Sequence, residues 1–199
     1  MNPEPETIPE PIKYPREQAL NVALSLEALF APHCERLTIA GSLRRGRPAV
    51  GDIELVYVPR FGPQPAGPGD LFPDDRTQAN LFEACLDDLQ RAGVLERRRN
   101  AKGQETYGRV NKLMRHVPSG IPVDLFATTE ACWFNYLVCR TGGADNNLAI
   151  CFAAQRAGWK WTPYGPGFTR GSGEVHLVRS EREVFEFVGL PYLEPEQRP

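Results

Sequence analysis

The stretch that decides the fold reads Gly41-Ser-Leu-Arg-Arg-Gly46, continues through Arg47-Pro-Ala-Val50, and runs into Gly51-Asp-Ile-Glu-Leu-Val-Tyr-Val58. Its last part is rich in β-branched and aromatic residues and predicts a strand over residues 52–58. Side chains at i and i+2 of a strand face the same side, so Asp52 and Glu54 project together. Two like charges side by side are unfavourable unless a cation neutralises them. By itself an acid-x-acid pair far more often marks a solvent-facing strand edge than a metal site. The preceding turn shifts that balance. Gly41 and Ser42 end a short predicted strand over residues 37–40, and their small size lets backbone amides approach a ligand. Arg44 and Arg45 add forked cationic donors suited to phosphate oxygens, and Gly51 stands directly before the first acid. A phosphate cradle beside an acid pair is the arrangement that phosphoryl or nucleotidyl transfer requires.

Working outward, Ile121-Pro-Val-Asp-Leu-Phe126 predicts a further apolar strand in which the lone carboxylate of Asp124 needs a reason. Set beside the first strand, Asp124 would complete a two-metal site with Asp52 and Glu54, since Mg²⁺ prefers a few carboxylates plus substrate phosphates. Upstream, Tyr14-Pro-Arg-Glu17 opens a helix that ends near Pro32. Residues 78–92 predict an amphipathic helix closed by Gly93, with Leu81, Phe82, Cys85, Leu86 and Leu89 on one face. Residues 94–98 and 109–116 predict strands around a turn at Lys102 and Gly103. The Pro- and Gly-rich residues 59–73 predict a loop. After Thr129 the pattern becomes helical over 133–138, 146–157 and 181–188, with a short strand pair around residues 159–161 and 175–178. This reads as a compact lobe after an α/β one, with the boundary near residues 127–132.

Composition bounds the partners. With 41% hydrophobic and 24% charged residues the chain is an ordinary globular one, and no apolar run is long enough to cross a membrane. The Pro/Glu-rich N-terminus has no apolar core of a signal peptide, so an intracellular, cytoplasmic location is expected. The five cysteines are widely spaced without a CxxC pair, and no zinc site is expected. Net charge is −2, yet residues 91–115 hold eight Lys or Arg against two Glu. A solvated face and a polyanion track both explain that stretch; on the second reading Arg97, Arg98, Arg99, Lys102 and Lys112 would contact DNA.

The quoted motifs resemble the palm signature of the X-family DNA polymerases, the group of DNA polymerase beta. The resemblance extends through Tyr14-Pro-Arg-Glu17, Val123-Asp-Leu125, Arg140-Thr-Gly-Gly143 and Asn147, and ends with Gly158-Trp-Lys, Tyr164-Gly165 and residues 180–192. It implies an α+β fold: a nucleotidyltransferase palm, with a mixed sheet and helices on one side, followed by a small α/β thumb lobe. The implied division is a disordered tail over residues 1–12, a palm over 13–129 and a thumb over 130–199. It implies that Asp52, Glu54 and Asp124 are the catalytic and metal-binding acids for two Mg²⁺ ions, Mn²⁺ being an alternative. Gly41, Ser42, Arg45 and Gly51, with Lys13, match positions that hold the triphosphate. Arg140, Thr141, Gly142 and Gly143 match the turn against which the nucleotide's sugar and base rest, and Asn147 matches a residue contacting the base. The implied function is a monomeric, membrane-independent DNA-directed DNA polymerase taking gapped or primer-template DNA and dNTP in gap-filling repair.

Departures from the family pattern are informative. Glu54 stands where the family polymerases usually have Asp. Cys139-Arg140 replaces a Tyr-Phe pair associated with sugar discrimination, and Leu148 and Cys151 stand where basic residues usually approach the templating base. Pro122 takes a place often held by an Arg that orients the third carboxylate. Only a Pro/Glu-rich tail precedes residue 13, so no lyase domain and no deoxyribose phosphate lyase activity are expected. These departures leave open a nucleotidyltransferase acting on RNA, protein or a small molecule, and a non-enzymatic binding module.

Overall fold

A computed structural model describes residues 12–63 and 78–199. Residues 1–11 of the expected disordered tail and residues 64–73 of the expected loop over residues 59–73 lie outside the described residues.

The chain begins with β1 (Tyr14–Pro15) and α1 (Arg16–Phe30), whose buried Ala19, Ala23, Leu26 and Phe30 form one stripe. There follow β2 (Cys34–Ile39), α2 (Gly41–Arg44), β3 (Ala49–Val50), β4 (Ile53–Pro59), β5 (Phe61–Pro63) and β6 (Gln78–Asn80). Then come α3 (Leu81–Arg91), β7 (Leu95–Arg97), β8 (Asn111–His116) and β9 (Pro122–Ala127). The C-terminal part contains α4 (Trp133–Thr141), α5 (Ala144–Arg156), β10 (Lys160–Trp161), β11 (Gly167–Thr169), β12 (Val175–Leu177) and α6 (Glu181–Glu186).

The main sheet has the order β2-β4-β9-β8-β7; only β4 and β9 are parallel, so it is mixed as expected. Strand alternation gives it two faces. Ile53, Leu55, Tyr57, Val123, Leu125 and Met114 point to one face and pack on α1 and α3. Val56, Val58 and Phe126 point to the other, where Trp133, Tyr136 and Leu137 of α4 cover them. Glu54 and Asp124 fall on this second face, next to the part that α4 covers. A separate core of Val138, Ile150, Ala154, Trp161, Phe168, Val184 and Phe185 builds the C-terminal lobe.

Three local expectations are corrected. The helix expected over residues 78–92 starts at Leu81, because the Asn80 side chain caps it by accepting from the N–H groups of Phe82 and Glu83 at 3.1 and 3.3 Å. Residues before it pair instead as a strand: β6 runs antiparallel to β5, which replaces the expected start of the loop. In the C-terminal lobe β10 does not meet β12 directly, since β11 lies between them. Gly167 on β11 explains the fit, as a Cβ there would run into the His176 backbone.

The lobes are tied by charge. Arg44 pairs with both carboxylate oxygens of Glu181 at 2.5 and 3.0 Å and donates to Thr141 Oγ1 at 2.7 Å. Arg198, fully buried, donates to the same carboxylate at 2.6 Å. Burial would raise the Glu181 carboxyl, but the two guanidiniums hold it below its ordinary range. Trp161 fixes the lobe's interior by donating to Asn135, whose amide nitrogen serves the carbonyls of Thr162, Gly165 and Gly167.

Candidate active site

The site grows from one register. On the parallel strands β4 and β9, Glu54 lies directly opposite Asp124, so their carboxylates stand on the same face of adjacent strands. Asp52, two residues before Glu54, sits where the chain enters β4. Gly41 at the start of α2 has φ +61, and a Cβ there would overlap the Glu54 carboxylate. Glycine is therefore required twice, by backbone and by space. The Ala40 N–H donates to the Glu54 carbonyl at 2.8 Å, fastening the turn to the strand.

The three acids disturb one another. Burial, with Asp52 and Asp124 nearby, pushes the Glu54 carboxyl up to about 8. Burial pushes Asp124 up to about 6, against the pull of Arg98. Asp52 is also raised by burial, against Arg98, Lys13 and Arg45. Crowded, half-desolvated carboxylates with raised values mark a place built for a cation.

Three oxygen-only donors of this kind fit a hard divalent ion in chemistry, as does the glycine that clears room beside Glu54. Among the described residues no three His, Cys, Asp or Glu side chains form a ready metal cluster. Arginine occupies part of the space: Arg98 Nη2 pairs with Asp124 Oδ1. Pro122, two residues before the third acid on β9, carries no charge, and Arg98 reaches Asp124 from just beyond the end of β7.

The other expected residues divide. Arg45 donates to the Thr141 carbonyl at 2.6 Å while its charge acts on Glu54 and Asp52, so it faces the acids. Arg44 is engaged at the lobe interface and presents no free fork to a phosphate. Thr141 is fully buried and held by both arginines, while Gly142 packs against the Asn146 side chain and Gly143 against Pro199. The Gly143 N–H donates to the Pro199 carbonyl at 2.8 Å. Asn147 donates to the Cys139 carbonyl at 3.0 Å rather than standing free. Arg140 lies 3.7 Å from the Phe126 ring centroid, flanked by Tyr136 and Tyr164, and its charge stabilises the ionised forms of Glu54 and Asp124. Ser42 is half-buried on α2, and Gly51 precedes Asp52 with open space around its Cα.

The basic stretch separates by face. Arg97, Arg99 and Lys102 are exposed, Arg97 lying over the Tyr107 ring at 3.7 Å. Lys112 does not belong to a surface track. It is 2% exposed, pairs with Glu83 at 2.6 Å and donates to the Gly108 carbonyl at 2.8 Å. Its strand position points to the helix-covered face, opposite Leu125, which is why it is buried. Sequence reasoning missed Glu181 as the partner that Arg44 shares with Arg198, and nothing in their local pattern announced it. It also missed Arg98 as the partner of Asp124, although alternation along Arg97-Arg98-Arg99 carried the signal.

Residues 136–199 match the family described as DNA polymerase beta thumb. Over 94% of its length the chain is 26% identical to the DNA polymerase lambda of Rattus norvegicus, covering 33% of that protein. Over 95% of its length it is 27% identical to the DNA polymerase/3'-5' exonuclease PolX of Bacillus subtilis, covering 29% of it. The chain thus spans about a third or less of the length of these relatives. The crystal structure of Leishmania infantum polymerase beta, a ternary P/T complex, matches with a TM-score of 0.70 at 19% identity. That match covers 94% of this chain and 77% of the other, and at such identity the likeness is one of fold.

Proposed function

We propose that the chain is an X-family, polymerase beta-like nucleotidyltransferase and acts as a DNA-directed DNA polymerase. It transfers a nucleotide from dNTP to a DNA 3′-hydroxyl, filling gaps in repair, with a palm over residues 13–129 and a thumb over residues 130–199. The observation that carries this reading is the register that sets Glu54 against Asp124 on adjacent parallel strands, with Asp52 two residues away.

Asp52, Glu54 and Asp124 would hold two Mg²⁺ ions, or Mn²⁺, which when bound supply activation of the attacking hydroxyl and neutralisation of triphosphate charge. The chain's own residues do the rest. Arg45 uses one Nη on the Thr141 carbonyl, leaving its other donors directed at the acid face for phosphate oxygens. Ser42, Gly41 and Gly51 bring backbone close to the same place, and Lys13 adds a charge near Asp52. On this reading Gly142 and Gly143 take the sugar and base with Asn147 and Arg140 beside them; a Cβ at Gly142 would meet the Asn146 side chain and one at Gly143 the Pro199 carbonyl, so neither position admits a side chain. Arg97, Arg99 and Lys102 lie exposed and supply a track for DNA phosphates.

A second reading keeps the chemistry and changes the acceptor to RNA, protein or a small molecule. The observation that favours it is the apolar outer face of α5, where Leu148 is 50% and Phe152 53% exposed. Labelled dNTPs or NTPs with Mg²⁺ and gapped DNA separate the two. Extension of the primer supports the polymerase; label carried to another acceptor with no extended primer contradicts it.

A further inference from the structure

Arg97, Arg98 and Arg99 leave the end of β7 in succession, and alternation divides them between the faces of the sheet. Arg97 turns to Tyr107 on the helix-covered side, and Arg99 stays exposed, donating to the Gly103 carbonyl at 3.0 Å. Arg98 continues the strand by donating its N–H to the Leu113 carbonyl at 3.0 Å. Leu113 pairs with Asp124, and Asp124 with Glu54. Arg98, Leu113, Asp124 and Glu54 therefore form one row across three neighbouring strands and the end of a fourth, all on the acid face. The guanidinium of Arg98 reaches past Leu113 to take one oxygen of Asp124. Among the cations acting on Asp52 its influence is also the largest. Arg98 Nε is buried without a partner, so the guanidinium is incompletely satisfied in this position.

We propose that Arg98 is a positioning residue of the acid site, holding Asp124 beside Asp52 as a resident counter-cation and yielding that place when a divalent ion binds. The inference rests on the metal-dependent reading given above. Three carboxylates crowded on one sheet face repel each other, and a cation seated among them stabilises the metal-free arrangement. The same cation competes with any ion that needs the Asp124 oxygen, so ion binding carries the cost of releasing Arg98. A residue serving only the fold would alter melting and leave ion affinity alone.

Isothermal titration of the full chain with MnCl₂, without DNA or nucleotide, reads the effect. Arg98→Gln keeps the length and a donor while removing the charge; it is expected to bind Mn²⁺ about tenfold more tightly than the unmodified chain. Arg98→Lys keeps a cation and is expected to stay within about twofold. Arg99→Gln removes the same charge one residue away on the exposed side and is expected to leave the affinity unchanged. Equal or weaker binding by Arg98→Gln, or the same gain in Arg99→Gln, overturns the inference. Failure of the metal reading has its own signature: Mn²⁺ uptake by the unmodified chain that Asp52→Asn does not reduce. Melting by circular dichroism in EDTA establishes that each variant is folded.

Discussion

Glu54 and Asp124 face each other across the one parallel pairing in the main sheet, and burial raises the cost of ionising both, with the Asp124 charge adding to the cost at Glu54. The consequence is a pH-dependent folding equilibrium. Their folded values, about 8 and about 6, lie above the unfolded carboxylate range of roughly 4. A raised folded value means that the stabilisation is complete below the unfolded value and is lost as pH rises through the folded ones. In EDTA the melting temperature should therefore fall between about pH 4 and pH 8, and Mg²⁺ should restore more of it at the alkaline end. Melting that is flat across this range, with no growing Mg²⁺ effect, would show that the acids are not coupled as described.

Gly41 permits that pair. Gly41→Ala demands a left-handed backbone from a residue with a side chain, at about 1–2 kcal/mol, and drives its Cβ into the Glu54 carboxylate. Nucleotide transfer should fall by at least roughly a hundredfold, because displacing a reacting group by about 1 Å has that effect. Nearly full activity in Gly41→Ala, measured by single-turnover extension, counts against the site geometry.

The lobe interface makes a separate prediction. Glu181→Gln strips the charge from a carboxylate shared by Arg44 and the fully buried Arg198. Leaving a buried cation unpaired costs about 3–5 kcal/mol, and urea denaturation should register a loss of that order. Because the Glu181 carboxyl is held low in the folded state, the stabilisation is present above the unfolded value and fades as pH falls through the folded one. A double-mutant cycle with Arg44→Ala should show strong non-additivity; additive losses would mean that the pair contributes nothing of its own.

The basic stretch is expected to split in DNA binding. Arg99→Ala and Lys102→Ala should weaken binding to gapped DNA and lower the salt-dependence slope by about 1 each. Lys112→Met should leave the slope unchanged, because Lys112 is buried against Glu83. A slope reduced by Lys112→Met would place that side chain at the DNA after all.

How far the sequence alone reached depended on the range of the interaction. Strand period and turn residues are local, so the strands carrying Asp52, Glu54 and Asp124, and the glycine beside them, were legible. The helix start at Leu81 was misplaced because the Asn80 cap competed with an apolar pattern that ran through it. The insertion of β11 between β10 and β12 escaped because a strand of three residues that opens on Gly167 carries little strand signal. Lys112 was misread from composition, which counts charges without knowing the face they occupy. The partners of Arg44 lie 97 and 137 residues away in sequence, and no local pattern encodes contacts at that range. Arg98 sits between these cases: its face was predictable from alternation, its partner only from the sheet order.

The most direct measurement is extension of a labelled primer across gapped DNA in Mg²⁺ and dNTP, comparing the unmodified chain with Asp52→Ala. The account predicts nucleotide addition by the unmodified chain and loss of it in Asp52→Ala with DNA binding retained. An Asp52→Ala variant that extends the primer at an unchanged rate would contradict the assignment of the site.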